Sequence, residues 1–161
     1  MTTVLLETSA GCFTAQFSER GLAKLDFPDS ASSTAASPTP AWTRAQRRWL
    51  SQTKAALAAV LRGRAPRDLP PLDLTAGTDF QRRVWAALLS IAPGCTQSYA
   101  ELAAAIGRPR AARAVGGACG ANPIPVLVPC HRVLAASGRL GGFSGGLEWK
   151  RRLLGGEGVR V

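Results

Sequence analysis

The sequence predicts an α+β protein in two parts. A small N-terminal antiparallel sheet with one helix occupies residues 1–73, and a mostly helical C-terminal domain containing a helix-turn-helix occupies residues 74–161. Three observations predict it. Short alternating or apolar segments separated by turn residues fill the first thirty positions. Helical periodicities opened by capping patterns fill the second half. Between them runs the Pro-rich stretch Pro66 to Leu74, read as an interdomain linker. A chain of 161 residues can bury an ordinary core, and 46% hydrophobic with 19% charged residues excludes wholesale disorder.

The elements follow in order. Val4–Leu6, Phe13–Phe17 and Leu22–Phe27 are strand-like and separated by SAG and SERG turns, which predicts an antiparallel meander. Ser30 to Pro40 is small, polar and Pro-containing, and reads as a loop. Trp42, Ala45, Trp49, Ala56, Leu57, Val60 and Leu61 recur at helical spacing up to Gly63, with Arg44, Arg47, Arg48 and Lys54 as a solvated face. Thr78 and Gln81 form a capping-box pattern before a helix through Phe80, Val84, Leu88 and Ile91, ended by Pro93-Gly94. Ser98 and Glu101 form a second, opening a short helix through Leu102, Ala103 and Ile106 to Gly107. After a turn at Arg108-Pro109, a third helix runs from Arg110 to about Cys119, which completes a helix-turn-helix.

Charge narrows the function. The chain carries 20 basic and 10 acidic residues, and 17 of the basic ones are Arg. Residues 74–161 hold 11 basic against 4 acidic side chains, which points to a polyanion partner such as nucleic acid. The third helix is nearly all small residues, among them Ala112, Gly116, Gly117 and Ala118, with Arg113 its one long side chain. Such a smooth cylinder either packs tightly on a neighbour or enters a groove by shape and inserts a single Arg. The longest apolar runs, such as Ile124 to Cys130, are too short to span a bilayer, and no secretory signal pattern opens the chain. A soluble, cytoplasmic protein is expected.

Four cysteines, Cys12, Cys95, Cys119 and Cys130, show no C-x-x-C pair, and the one histidine is His131. A disulfide framework and a structural zinc are both disfavoured. What remains is whether any thiol is reactive or all four are small buried hydrophobes. Cys130 stands out. It lies between Pro129 and His131-Arg132 after an apolar, strand-like run flanked by prolines, which restrict where the thiol points. A base and a positive charge beside it would lower its pKa. On an extended chain adjacent side chains diverge, so His131 need not touch Cys130 directly, and a water can bridge them. A cysteine peptidase would need a distant His that this chain lacks.

Pro129-Cys-His-Arg-Val133 resembles the active-site signature of the O6-alkylguanine-DNA alkyltransferases, also called methylated-DNA–protein-cysteine methyltransferases. The resemblance extends through TDFQRRVWAALL (78–89), SYAELAAAIG (98–107), ARAVGGA (112–118), Asn122-Pro123, GGFSGG (141–146) and Lys150 to Glu157. Residues 1–73 match only in general character. The resemblance implies direct-reversal DNA repair, in which an alkyl group on guanine O6, or on thymine O4, passes irreversibly to Cys130 after base flipping. It implies His131 as the base, Glu157 as the acid that orients it, Asn122 as the tie between the recognition helix and the active-site turn, and Tyr99 as proton donor to the departing guanine. Arg113 would fill the gap left by the flipped base, with Tyr99, Ala112, Gly116, Gly117 and Ala118 against DNA. Val133, Gly141, Phe143, Ser144 and Lys150 would line the guanine pocket.

The implied partner is double-stranded DNA carrying alkylated guanine, met through the minor groove by a monomer, with no membrane, cofactor or metal. The sequence departs from the family pattern in places. Pro93 comes one place later than in the commoner Ile-Pro-x-Gly, Phe143 stands where many relatives have Tyr, and Cys119-Gly120-Ala121 lacks a basic residue. A non-catalytic sensor of alkylated DNA and a helix-turn-helix regulator are the binding-module alternatives, and a thiol redox protein using Cys119 is a third class.

Overall fold

In the computed structural model the first three segments pair as an antiparallel meander, β1 (Thr2–Thr8), β2 (Gly11–Phe17) and β3 (Leu22–Asp26), in the order β1-β2-β3. The structure describes residues 1–30, 36 and 41–161, so most of the Ser30–Pro40 loop lies outside the described residues. Alternation buries Phe13, Ala15 and Phe17 on one face of β2. Phe17 faces Leu22 but Gln16 faces Lys24, which leaves Ala23 as an extra residue. That bulge lets Leu22 and Leu25, three apart, both reach the core.

A capping box starts α1 (Arg44–Leu61): the Thr43 hydroxyl accepts the Gln46 N–H, and the Gln46 side chain accepts the Thr43 N–H. Thr53, Ala56, Leu57 and Val60 face the core. Ala45 is exposed, so the apolar stripe begins later than expected. Trp42 precedes the helix and stacks edge-on to Phe17, with ring centroids 5.6 Å apart. At Gly63 the backbone is left-handed (φ 74°), and a Cβ there would lie 1.9 Å from the Gly156 carbonyl oxygen. Glycine is therefore what lets the end of α1 touch the last helix. The following Pro-rich stretch lies along the sheet edge, where Leu22 donates to the Pro71 carbonyl and accepts from the Asp73 N–H, each at 2.8 Å.

In the second half, capping boxes at Thr78 and Ser98 open α2 (Asp79–Leu88) and α3 (Tyr99–Ala105). α2 stops at Leu88, ahead of the expected Pro93-Gly94, because the chain tightens through short bonds from Ser90 to Ala87 and from Ile91 to Leu88. α3 and α4 (Ala112–Gly120) form the helix-turn-helix, and Trp85 of α2 donates its indole N–H to the Ala118 carbonyl at 2.8 Å. A short parallel pair, β4 (Gln97–Ser98) with β5 (Val133–Leu134), precedes the final helix α5 (Leu147–Gly156).

The strand-like reading of the run before Cys130 is corrected. Ile124 to Val128 forms a turn in which Val126 has φ 75° and Val128 donates to the Ile124 carbonyl at 2.9 Å. Pro123, Pro125 and Pro129 have no N–H to give a ladder, so the remaining amides bond locally. This turn packs on the sheet, its Pro123 carbonyl accepting from Leu25 at 2.9 Å. Phe13 and Phe27 meet Trp149 at 5.5 and 5.0 Å, and Phe27 meets Phe143 at 5.6 Å. No helix among the described residues is long and apolar enough to cross a membrane.

Candidate active site

Cys130 opens the 3-10 turn Cys130–Arg132, and its thiol faces a cavity of about 510 Å³. One wall is α4, through Ala112, Arg113, Gly116, Cys119 and Gly120; opposite stand Gly142, Phe143 and Ser144, and Tyr99 lines the same cavity. The spacing 112, 116, 119, 120 is one face of a helix, and its small residues leave the space open. Gly141 keeps the opposite loop close to Tyr99: at φ 68°, a Cβ there would lie 3.0 Å from the tyrosine hydroxyl.

Asn122 ties the end of α4 to the thiol. Its amide donates to the Val128 carbonyl at 2.8 Å and to Cys130 Sγ at 3.2 Å, while its oxygen accepts from the Ile124 N–H at 2.9 Å. Burial pushes the Cys130 thiol above its ordinary pKa, and the Asn122 hydrogen bond and then the Lys150 charge pull it back.

Behind the thiol, His131 is wholly buried and its Nε2 donates to Glu157 Oε1 at 3.0 Å. A carboxylate only accepts, so the ring proton sits on Nε2 and Nδ1 carries the free lone pair. Nδ1 is buried and has no hydrogen-bond partner among the described residues. Burial lowers the pKa of His131, although Glu157 opposes this, so the ring is neutral and able to take a proton. Burial raises Glu157, but hydrogen bonds from His131 and Arg132 and the Arg132 charge outweigh it and bring its pKa to about 2. Arg132 reaches Glu157 with Nε and NH2 at 2.8–3.1 Å, and its NH1 donates to the Ile91 carbonyl at 2.5 Å. Gly94 N–H closes the carboxylate from the other side at 3.2 Å.

The profile of the 6-O-methylguanine DNA methyltransferase DNA-binding domain matches residues 79–159, half of the chain. The chain belongs to that family. It is 63% identical over 83 residues to the methylated-DNA–protein-cysteine methyltransferase of Mycobacterium tuberculosis, a stretch covering 52% of this chain and 50% of that protein. Over 84 residues it is 56% identical to the protein of the same name from Salmonella typhimurium, covering 52% and 49%. The matched stretch thus spans about half the length of these curated relatives. In three dimensions the chain resembles Mycobacterium tuberculosis OGT crystallised in complex with DNA, with TM-score 0.75 and 42% identity over 95% of this chain and 90% of that one. It also resembles the O6-methylguanine-DNA methyltransferase of Pyrococcus kodakaraensis, with TM-score 0.66 and 25% identity over 98% of each chain.

Set against the family signature, the geometry gathers Cys130, Asn122, Tyr99, Arg113, Ala112, Gly116, Phe143 and Ser144 at or around one cavity, with His131 and Glu157 behind it. Gly117 is exposed on α4. Other positions lie elsewhere. Ala118 is buried against α2, and Val133 is buried in β5. Lys150 is buried with Nζ on the Val133 and Gly142 carbonyls, outside the cavity lining.

Arg132 corrects the sequence expectation of a positive charge for the thiol. It turns to Glu157. Cys119 was missed as a lining residue, though its place three residues beyond Gly116 puts it on the same helix face. Burial and the neighbouring Cys130 push its thiol up to about 12, so it stays protonated.

Proposed function

We propose that this protein repairs DNA by transferring the alkyl group of O6-alkylguanine, and of O4-alkylthymine as a second substrate, to its own Cys130. The single observation that carries the reading is a thiol at the cavity beside α4, backed by a neutral histidine whose outer nitrogen is held by a carboxylate. α4 enters the minor groove, and Arg113, exposed on that helix, occupies the space left when the damaged base leaves the stack. The base enters between the α4 wall and the Phe143–Ser144 loop. His131 Nδ1 takes the Cys130 proton through a water, and Glu157 stabilises the imidazolium that forms. Sγ attacks the alkyl carbon in line; the S–C bond forms as the C–O6 bond breaks, and the O6 electron pair remains on guanine. Tyr99, whose hydroxyl burial keeps protonated, donates the proton that guanine gains.

The thioether has no good leaving group, so each molecule acts once. The chain works as a cytoplasmic monomer on duplex DNA, with residues 1–73 supporting the loop that walls the pocket and residues 74–161 carrying the chemistry. Mass spectrometry after mixing with duplex DNA containing one O6-methylguanine tests this. One methyl on the Cys130 peptide, restored guanine and no second turnover are expected, and Cys130→Ala binds the DNA without transfer. Tight binding by the wild type with no mass change would make the protein a damage sensor.

A further inference from the structure

Among the described residues, those lining the Cys130 cavity all lie in the C-terminal half, yet the far side of one wall rests on the N-terminal sheet. Phe27, the residue that follows β3, is 8% exposed and sits in an aromatic cluster with Phe13 at 5.7 Å, Trp149 at 5.0 Å and Phe143 at 5.6 Å. Phe143 lines the cavity, so Phe27 backs that wall directly, edge to face. Two residues on, the main chain of the same wall lies on the ring: a Cβ at Gly145 would stand 2.5–2.8 Å from three Phe27 ring atoms. Behind the wall is a second cavity of about 460 Å³, lined by Asp26, Phe27, Pro123, Pro125, Ser144 and Gly145 among others. Ser144 borders both cavities, so residues 143–145 form a partition with open volume on either side. Among the described residues no hydrogen bond ties these three to another segment; the Phe143 carbonyl accepts the Gly146 N–H at 3.0 Å within the loop. Packing on Phe27 is what fixes where the partition stands.

We propose that Phe27 determines which O6-alkyl groups the pocket accepts, by setting how far the Phe143–Gly145 wall stands from Cys130. This rests on the cavity being the site of alkyl transfer, and it places the size limit of that site in the N-terminal domain. A methyl group needs little room beside the thiol, whereas a benzyl group needs the wall to give way. The rear cavity has space to receive the wall, but the Phe27 ring stands between them and is itself held by Phe13 and Trp149. Shortening that side chain lets the wall retreat and widens the pocket. A methyl group added at Gly145 pushes the wall off the ring, toward Cys130, and narrows it. Phe27 touches no substrate; it is a positioning residue.

The test is single-turnover transfer with the full chain in excess over duplexes identical except for one O6-methylguanine or one O6-benzylguanine. The readout is the benzyl-to-methyl rate ratio, because a general loss of stability or of DNA binding slows both reactions and leaves the ratio alone. Phe27→Leu should raise the ratio about tenfold and Gly145→Ala should lower it about tenfold, the scale on which apolar pockets discriminate small differences in size. In the double variant the added methyl group has room, so the ratio should return to within about threefold of the wild type, a strong coupling between the two positions.

A folded Phe27→Leu protein with an unchanged or lowered ratio would overturn the proposal. If Phe27→Leu does not fold, Gly145→Ala decides alone, and an unchanged or raised ratio there would overturn it. Wild-type protein that transfers no methyl group from DNA would refute the proposed function and this inference with it. Normal methyl transfer with a ratio that neither variant moves would refute only the role of Phe27.

Discussion

Replacing Glu157 by Gln removes one charge from the most tightly held carboxylate in the molecule. Its two oxygens accept from His131, from two nitrogens of Arg132 and from the Gly94 amide, with a fully buried side chain. A glutamine has one acceptor oxygen, so its amide nitrogen must confront a donor on His131 or Arg132. Arg132 would keep its charge in a buried site with no counter-ion, a loss of roughly 3–5 kcal/mol of stability. His131 would lose the group that fixes its proton on Nε2 and stabilises the imidazolium. Removing effective general-base action costs about 10²–10⁴-fold in rate.

The assay is single-turnover methyl transfer from O6-methylguanine duplex with protein in excess, run below the melting temperature of the variant. His131→Ala and the double variant complete the cycle. If Glu157 acts through His131, the two losses will not add, and the double variant will be about as slow as His131→Ala alone. A folded Glu157→Gln protein transferring within threefold of the wild-type rate would refute the orienting role.

Three further outcomes are expected. Arg113→Ala should slow repair in duplex DNA at least tenfold while barely changing reaction with free O6-benzylguanine, because its proposed role is to fill the stack; equal losses on both substrates would remove that role. Gly63→Ala should lower the melting temperature and slow transfer, since its methyl group would meet the Gly156 carbonyl one residue before Glu157 and φ there is 74°; unchanged transfer kinetics would show that the contact does not position Glu157. The depressed Glu157 pKa predicts a stability contribution fully present above the ordinary value of 4.5 and lost as pH falls toward about 2. Thermal unfolding across that range should show the acid-labile component in the wild type and not in Glu157→Gln.

Much of the architecture was legible because its signals are local. The three capping boxes are each complete within four residues; those at Thr78 and Ser98 form as read, and one at Thr43 precedes them in the chain. The first of them was not singled out, because the helix was placed by its apolar positions, and Ala45 then misled its start. The run before Cys130 was misread because apolar content outweighed three prolines, whose missing N–H groups decide against a strand.

By itself the sequence determined the α+β class, the helix-turn-helix and the thiol between proline and histidine, since periodicity, capping and proline geometry act within a few residues. Only the tertiary structure decided which charge serves which group. Arg132, next but one to Cys130 in the chain, goes to Glu157, and Lys150, twenty residues away, is buried with its ammonium on the Val133 and Gly142 carbonyls. The physical reason is the 3-10 turn at Cys130–Arg132, which sends successive side chains about 120° apart, so that neighbours in sequence face different elements. α5 supplies Lys150 from its first half, and Glu157, just past its C-terminal end, closes on His131 and Arg132 of that turn.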